Sequence, residues 1–132
     1  IHADNFAMDS FKNLLDFHKN RPSNCLMTMV AFKTNYPEDC GIIEIDKSNI
    51  VRNFEEKPSK ITSNLANGAM YILSKELLNV LKNKKISDFS TEVIPSLIGK
   101  IFVYKTDQFF TDIGNIENYK EAVNKASNCE NE

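Results

Sequence analysis

Two groups of residues in this 132-residue sequence have side chains that could do chemistry together. The first is Phe54-Glu55-Glu56-Lys57-Pro58, with Asn67-Gly68-Ala69-Met70-Tyr71 a few residues on. The second is a pair of isolated aspartates, Asp4 and Asp112, each following a short apolar stretch. A lysine ammonium is a point charge for a phosphate, and a glutamate accepts hydrogen bonds from hydroxyls. Two carboxylates with open water positions suit Mg²⁺, which commonly completes its shell with substrate phosphates. If Asp4 and Asp112 point into the cleft that Glu56 and Lys57 reach, metal and lysine face one phosphate. The same residues also have plainer readings. Asp4 and Asp112 could be helix caps, and Glu56–Lys57 a solvated acid–base pair at a strand end.

The elements that must position these groups follow from periodicity and turn chemistry. Residues 50–54 alternate apolar and polar side chains, the pattern of a half-buried strand. Pro58 has no N–H for a ladder and ends that strand, and the residue before a proline, Lys57, is expected to be extended. Glu56 and Lys57 then stand at the carboxyl end of a strand, where open α/β sheets bind ligands. The apolar residues flanking His2 read as the last part of a strand ending at Asp4. Asp9 or Ser10 caps a helix with Phe11, Leu14, Leu15 and His18 on one face. Residues 25–32 are a near-continuous apolar run, as in a strand covered on both faces. A strand over 41–45 and a turn at 46–49 lead into the strand from Ile50 as a hairpin. A strand over 66–73 follows, entered through Asn67-Gly68, and then a helix capped by Ser74 with Leu77, Leu78 and Leu81 on its apolar face. Ser90 is expected to cap a further helix, irregular in its first turn because of Pro95. Strands at 101–104 and 108–111 precede the break at Asp112-Ile113-Gly114 and a last helix over 116–126. Residues 127–132 form a polar tail expected to fray. Strands alternating with helices give an α/β domain, and the hairpin makes its sheet mixed.

Other chemistries find little support. A net charge of −2 offers no surface for nucleic acid or an anionic membrane. No apolar run is long enough to span a bilayer and no signal-peptide pattern is present, so a cytoplasmic protein is expected. Cys25, Cys40 and Cys129 share no metal-site spacing and are expected to be reduced thiols. Cys40, beside Gly41, reads as a small inert residue rather than a reactive thiol. His2 and His18 read as structural. The four glycines, Gly41, Gly68, Gly99 and Gly114, stand too far apart to build a phosphate-cradling loop.

Five segments taken in order carry a more specific signal: His2-Ala3-Asp4-Asn5-Phe6, Cys40-Gly41-Ile42-Ile43-Glu44, Phe54-Glu55-Glu56-Lys57-Pro58, Asn67-Gly68-Ala69-Met70-Tyr71 and Phe110-Thr111-Asp112-Ile113-Gly114. Their order and spacing resemble the second half of the catalytic domain of sugar-phosphate nucleotidylyltransferases, above all the mannose-1-phosphate guanylyltransferase-like NDP-sugar pyrophosphorylases. The resemblance covers residues 1–126. It implies a three-layer α/β/α mixed sheet, part of a Rossmann-like, GT-A-like nucleotidyltransferase fold. It implies Mg²⁺ on Asp4 and Asp112, sugar hydroxyls and sugar phosphate on Glu56 and Lys57, and backbone contacts to the sugar from Gly41, Ala66, Asn67 and Gly68. The implied substrates are a sugar 1-phosphate and an NTP, with mannose or a heptose as the sugar. The family's amino-terminal glycine-rich loop, which holds the triphosphate, is not in the sequence. The chain is therefore expected to be one piece of a larger fold, inactive alone and completed by a missing half or by association with another chain. Two rival functions stay open: a metal-dependent glycosyltransferase using an NDP-sugar, and a non-catalytic fragment or regulatory module.

Overall fold

A computed structural model describes residues 1–129. Its sheet is organised around the apolar run identified above. Strand β2 (Met27–Lys33) is buried from Met27 to Ala31, because both of its faces are covered. Met27, Met29 and Ala31 pack on one side with Ile43, Ile101 and Val103, and Val30 packs on the other with Leu14 and Met70.

Five strands make the main sheet: β2 with β3 (Gly41–Ile45), β4 (Val51–Glu56), β5 (Leu65–Leu73) and β6 (Ile101–Lys105), in the order β4-β3-β5-β2-β6. Only β2 and β6 run parallel; the other pairs are antiparallel, so the sheet is mixed as expected. Strands β1 (Asn5–Ala7) and β7 (Phe110–Asp112) form a separate antiparallel ribbon. Helix α1 (Phe11–Lys19) packs Leu14 on the Val30 face. Helix α2 (Lys75–Leu81) puts Leu77 on the opposite face, with Ile94 and Leu97 from two short irregular turns. Helices or ribbon thus lie on both sides of the sheet. Helix α3 (Ile116–Cys129) follows β7.

The β3–β4 hairpin turns where expected. Asp46 Oδ1 accepts from the N–H of Ser48 at 2.8 Å and of Ile50 at 3.0 Å, and Asn49 takes φ 59°, a conformation that asparagine tolerates. The hairpin shares one residue pair with β5, Ile42 opposite Ala66. Its turn end then reaches the far edge of the sheet, where Val103 N donates to Asn49 O at 2.8 Å and Gly99 N to Val51 O at 2.9 Å. This closure brings Ile43 and Val51, both 0 % exposed, into the main core.

Several local expectations are corrected. Residues 1–4 form a turn, Asn5 N bonding to His2 O, so Asp4 precedes β1 instead of ending a strand. In α1, Phe11 and Leu15 are exposed. Phe17 turns inward beside Leu14, stacking on Phe102 at 4.3 Å, while His18 Nδ1 meets Thr28 Oγ1 at 2.7 Å. Ser90 caps nothing: Asp88 accepts from Thr91 N at 2.8 Å, and a wide turn over Phe89–Val93 and a 3₁₀ turn over Pro95–Leu97 replace the expected helix. Pro95 prevents a continuous helix by removing a donor. Strand β7 begins at Phe110 and includes Asp112. Helix α3 continues to Cys129, so residues 127–129 of the expected tail are helical; residues 130–132 lie outside the described residues.

Candidate active site

The two aspartates meet at the end of the β1–β7 ribbon. Asn5 pairs with Asp112 across it, and the N–H of Ile113 donates to Asp4 O at 2.8 Å. Asp112 Oδ1 accepts from Gly114 N at 3.0 Å, which folds the chain tightly after the strand. A Cβ placed on Gly114 would lie 3.2 Å from Asp112 Oδ1 and 3.6 Å from Asp4 Oδ2. Both carboxylates therefore lie beside Gly114, a residue with no side chain to keep them apart. Neither is a helix cap: Asp4 precedes a strand, and the cap of α3 is Asn115, whose Oδ1 accepts from Asn118 N at 2.9 Å.

Asp4 and Asp112 open on a cleft of about 200 Å³, which Gly41, Glu56, Asn67 and Gly68 also line. Glu56 lies opposite Gly41 in the β3–β4 ladder. A Cβ on Gly41 would stand 2.8 Å from Glu56 Oε2 and 2.8 Å from the Phe54 ring. Glycine at 41 therefore lets the Glu56 carboxylate lie close over the strand. On the far wall, β5 departs from a regular ladder. Met29 faces Tyr71 but Ala31 faces Asn67, so residues 68–70 bulge opposite Val30. Ala69 takes φ 50° there, and its N–H is held by Asn67 Oδ1 at 3.0 Å. Asn67 Nδ2 in turn donates to Tyr71 Oη at 2.8 Å. A Cβ on Gly68 would meet Val30 O at 3.1 Å and the Phe110 ring at 3.0 Å. A side chain there would fit only if the ring or the β2 backbone gave way by a few tenths of an ångström.

Of the residues singled out from the sequence, Asp4, Asp112, Gly41, Glu56, Asn67 and Gly68 share the cleft. Ala66 does not: it is 0 % exposed and paired with Phe32 and Ile42 inside the sheet. Lys57 is exposed, lies beyond the cleft lining and has φ 48° in place of the expected extended backbone. Its N–H donates to Cys40 O at 3.0 Å, and that bond with the buried Pro58 holds the turned conformation against proline's local preference. Among the described residues the ion pairs are Lys19–Asp16 and Arg52–Asp46, so Lys57 and Glu56 are not bound to each other.

From the sequence, Asn5 and Phe110 flank the aspartates without a site role, Ser90 reads as a cap and Asp39 has no role, yet all four also stand on the cleft wall. Cys40 is there too. Burial pushes its thiol up; Thr34, 3.9 Å away, pulls it down, and Asp39, Glu56 and Asp112 push it up further. The sulfur is held as a neutral thiol, without the thiolate a nucleophile needs. Tyr71 is likewise raised, by burial first. Asp4, Asp39, Glu56 and Asp112 give the cleft four carboxylates, and no lysine or arginine lines it.

Such a cleft is suited to hydroxyls and a hard cation, and the hard carboxylate oxygens of Asp4 and Asp112 on its wall are of the type that Mg²⁺ takes. Among the described residues no third His, Cys, Asp or Glu joins them in a metal-binding group, so a bound ion would take its remaining ligands from water and substrate.

An α/β domain with a carboxylate-lined cleft at the edge of a mixed sheet is the class that the fold and site define. The chain belongs to the nucleotidyl transferase family, whose model matches residues 1–128. It is 32 % identical over 124 residues to a glucose-1-phosphate adenylyltransferase of Lachnospira eligens, covering 89 % of this chain and 29 % of that protein. It is 31 % identical over 118 residues to a mannose-1-phosphate guanyltransferase of Saccharomyces cerevisiae, covering 86 % of this chain and 32 % of that one. In fold it matches the crystal structure of HddC from Yersinia pseudotuberculosis with a TM-score of 0.71 at 22 % identity, over 92 % of this chain and 52 % of that one. The chain thus spans about a third of the length of these curated relatives. No described helix is long and apolar enough to cross a membrane.

Proposed function

We propose that the protein transfers a nucleotidyl group from an NTP to a sugar 1-phosphate, and that residues 1–126 supply the sugar-phosphate and metal side of that reaction. A phosphate oxygen of the sugar 1-phosphate attacks the α-phosphorus of the NTP. The bond from that phosphorus to the β-phosphate oxygen breaks, and NDP-sugar and pyrophosphate result. The observation that carries this reading is that Asp4 and Asp112, neighbours at Gly114, line one cleft with Gly41, Glu56, Asn67 and Gly68.

In this reading Glu56 accepts hydrogen bonds from sugar hydroxyls, and the backbone around Gly41, Asn67 and Gly68 lies against the ring. Lys57, unpaired with Glu56, swings its flexible stem to the sugar phosphate. Asp4 and Asp112 hold Mg²⁺, which when bound screens the repulsion between the two phosphate-bearing substrates. Protein groups do no covalent work; positioning and charge neutralisation carry the rate. The triphosphate is assigned to parts of the longer protein, since the separated glycines of this chain build no cradle for it.

The relatives named above point to hexose 1-phosphates, and mannose 1-phosphate is our first assignment. The test is pyrophosphate release by the full-length protein, with mannose 1-phosphate and glucose 1-phosphate each offered with ATP, GTP, CTP and UTP. Release that requires both substrates and Mg²⁺ is expected. No release with any pair, together with sugar transfer from an NDP-sugar to an acceptor, would establish the glycosyltransferase reading instead.

A further inference from the structure

We infer that Asn5 is a positioning residue that fixes the distance between the carboxylate pair and the sugar-holding bulge of β5; its functional half rests on the reaction proposed above. Asn5 sits between the two halves of the site. By its backbone it is the residue after Asp4 and the ladder partner of Asp112. By its side chain it is bonded elsewhere: Nδ2 donates to Gly68 O at 2.9 Å and reaches Ala69 O at 3.4 Å. Both acceptors belong to the bulge, next to Asn67.

This attachment has structural consequences. The β1–β7 ribbon is not a strand of the main sheet, so no ladder sets its height above β5. Its contacts at the cleft are the Asn5 amide on the bulge carbonyls, the Phe110 ring against Gly68, stacked on Phe32 at 4.9 Å, and the packing of Ala7 and Phe110 on Leu14, Val30 and Met70. The bulge is the more yielding partner, because Ala69 is held at a positive φ that an alanine does not favour. The Asn5 amide satisfies a bulge carbonyl that the β2 ladder skips. Without it, the metal-side ribbon and the sugar-side bulge lose the hydrogen bonds that tie them and keep only apolar packing. A shift of about 1 Å between reacting groups costs roughly a hundredfold in rate.

Asn5 is therefore expected to act on transfer without touching either substrate. The test uses the full-length protein with Asn5→Ala and Asn5→Asp, the latter placing a carboxylate against two carbonyl oxygens. Two readouts are taken together. In amide hydrogen exchange, residues 65–73 should exchange about tenfold faster in Asn5→Ala, an opening local to the bulge, while residues 27–31 keep their protection. In steady-state kinetics, kcat should fall about tenfold to a hundredfold and KM for the sugar 1-phosphate should rise, with KM for the NTP unchanged. Asn5→Asp should be the more impaired variant. Faster exchange with unaltered kinetics would reduce Asn5 to a structural brace and overturn its positioning role. Unchanged exchange in the bulge would overturn the inference entirely. If the wild-type protein releases no pyrophosphate, it is the reaction that falls; the exchange readout still decides whether Asn5 holds the bulge.

Discussion

The two ends of β5 follow different rules. Its carboxyl end, from Tyr71 to Leu73, lies beside β2 in a regular ladder and adjoins a core of fully buried Met27, Met29, Ile43, Ile94 and Ile101. No residue of that core has a positive φ. Its amino half, residues 66–69, adjoins the cleft. Within it and its neighbours lie Ala69 at φ 50°, Lys57 at φ 48°, two glycines hemmed in by neighbouring atoms and the carboxylates of Asp4 and Asp112 beside Gly114. The core half is set by apolar burial and satisfied ladders. The cleft half holds costly conformations that the rest of the fold maintains, which is where strain is expected if those residues have work to do.

The contrast implies that substitutions in the core change stability and substitutions in the cleft change activity. The largest effect is expected from Ile43→Ala. Removing a fully buried side chain should cost about 2–5 kcal/mol of unfolding free energy. Denaturant titration measures that loss, while activity per folded molecule should hold. A matching fall in kcat of the folded fraction would erase the division between the halves.

Next is Lys57→Ala, with an expected loss of about 2 kcal/mol, roughly 30-fold, in transfer. The loss should appear when sugar 1-phosphate is varied and not when NTP is varied, and stability should be nearly untouched. Lys57→Arg should also impair, since a forked guanidinium does not replace a compact ammonium. Normal sugar-phosphate kinetics in Lys57→Ala would take that residue out of the site.

Smaller and opposite in sign is Ala69→Gly. Relieving the positive φ should raise stability by about 0.5 kcal/mol, after the entropy that glycine adds to the unfolded chain is subtracted. A stabilised variant with reduced turnover would sharpen the comparison, showing that strain in the bulge serves the site.

The smallest effect concerns pH. Burial, with Arg21 adding to it, holds His18 below its usual pKa, so the unfolded chain binds a proton there more readily. Stability from this group is complete above the unfolded value of about 6.5 and declines as pH falls from there toward the depressed folded value. Melting temperatures across that window should decline in the wild type, and the decline should be shallower in His18→Gln. Identical slopes would assign the pH dependence to other groups.

The sequence made legible what local pattern controls. The apolar run at 25–32, the Asp46–Asn49 turn and the Ser74 cap, whose Oγ accepts from Leu77 N at 3.1 Å, all form as expected. Asp4 and Asp112, 108 residues apart in the chain, were singled out from residue type and the resemblance, and they do meet. What could not be read depends on distant partners. Lys57 turns because of a bond to Cys40 and a buried Pro58; the β5 bulge bonds to the ribbon above it through Asn5. Phe17 displaces Leu15 from the face of α1 because Phe102 and Tyr104 lie opposite it. Asn5 stands in one of the five segments, but its bonds to two carbonyls 63 and 64 residues away leave no local pattern to read.

The central claim is that Asp4 and Asp112 act as one cation site. A Mn²⁺ titration of the full-length protein, followed by electron paramagnetic resonance, tests it most directly when repeated with Asp4→Asn and with Asp112→Asn. Either substitution alone should abolish the same binding event while the fold, followed by circular dichroism, stays intact. Undiminished Mn²⁺ binding in both variants would contradict the account.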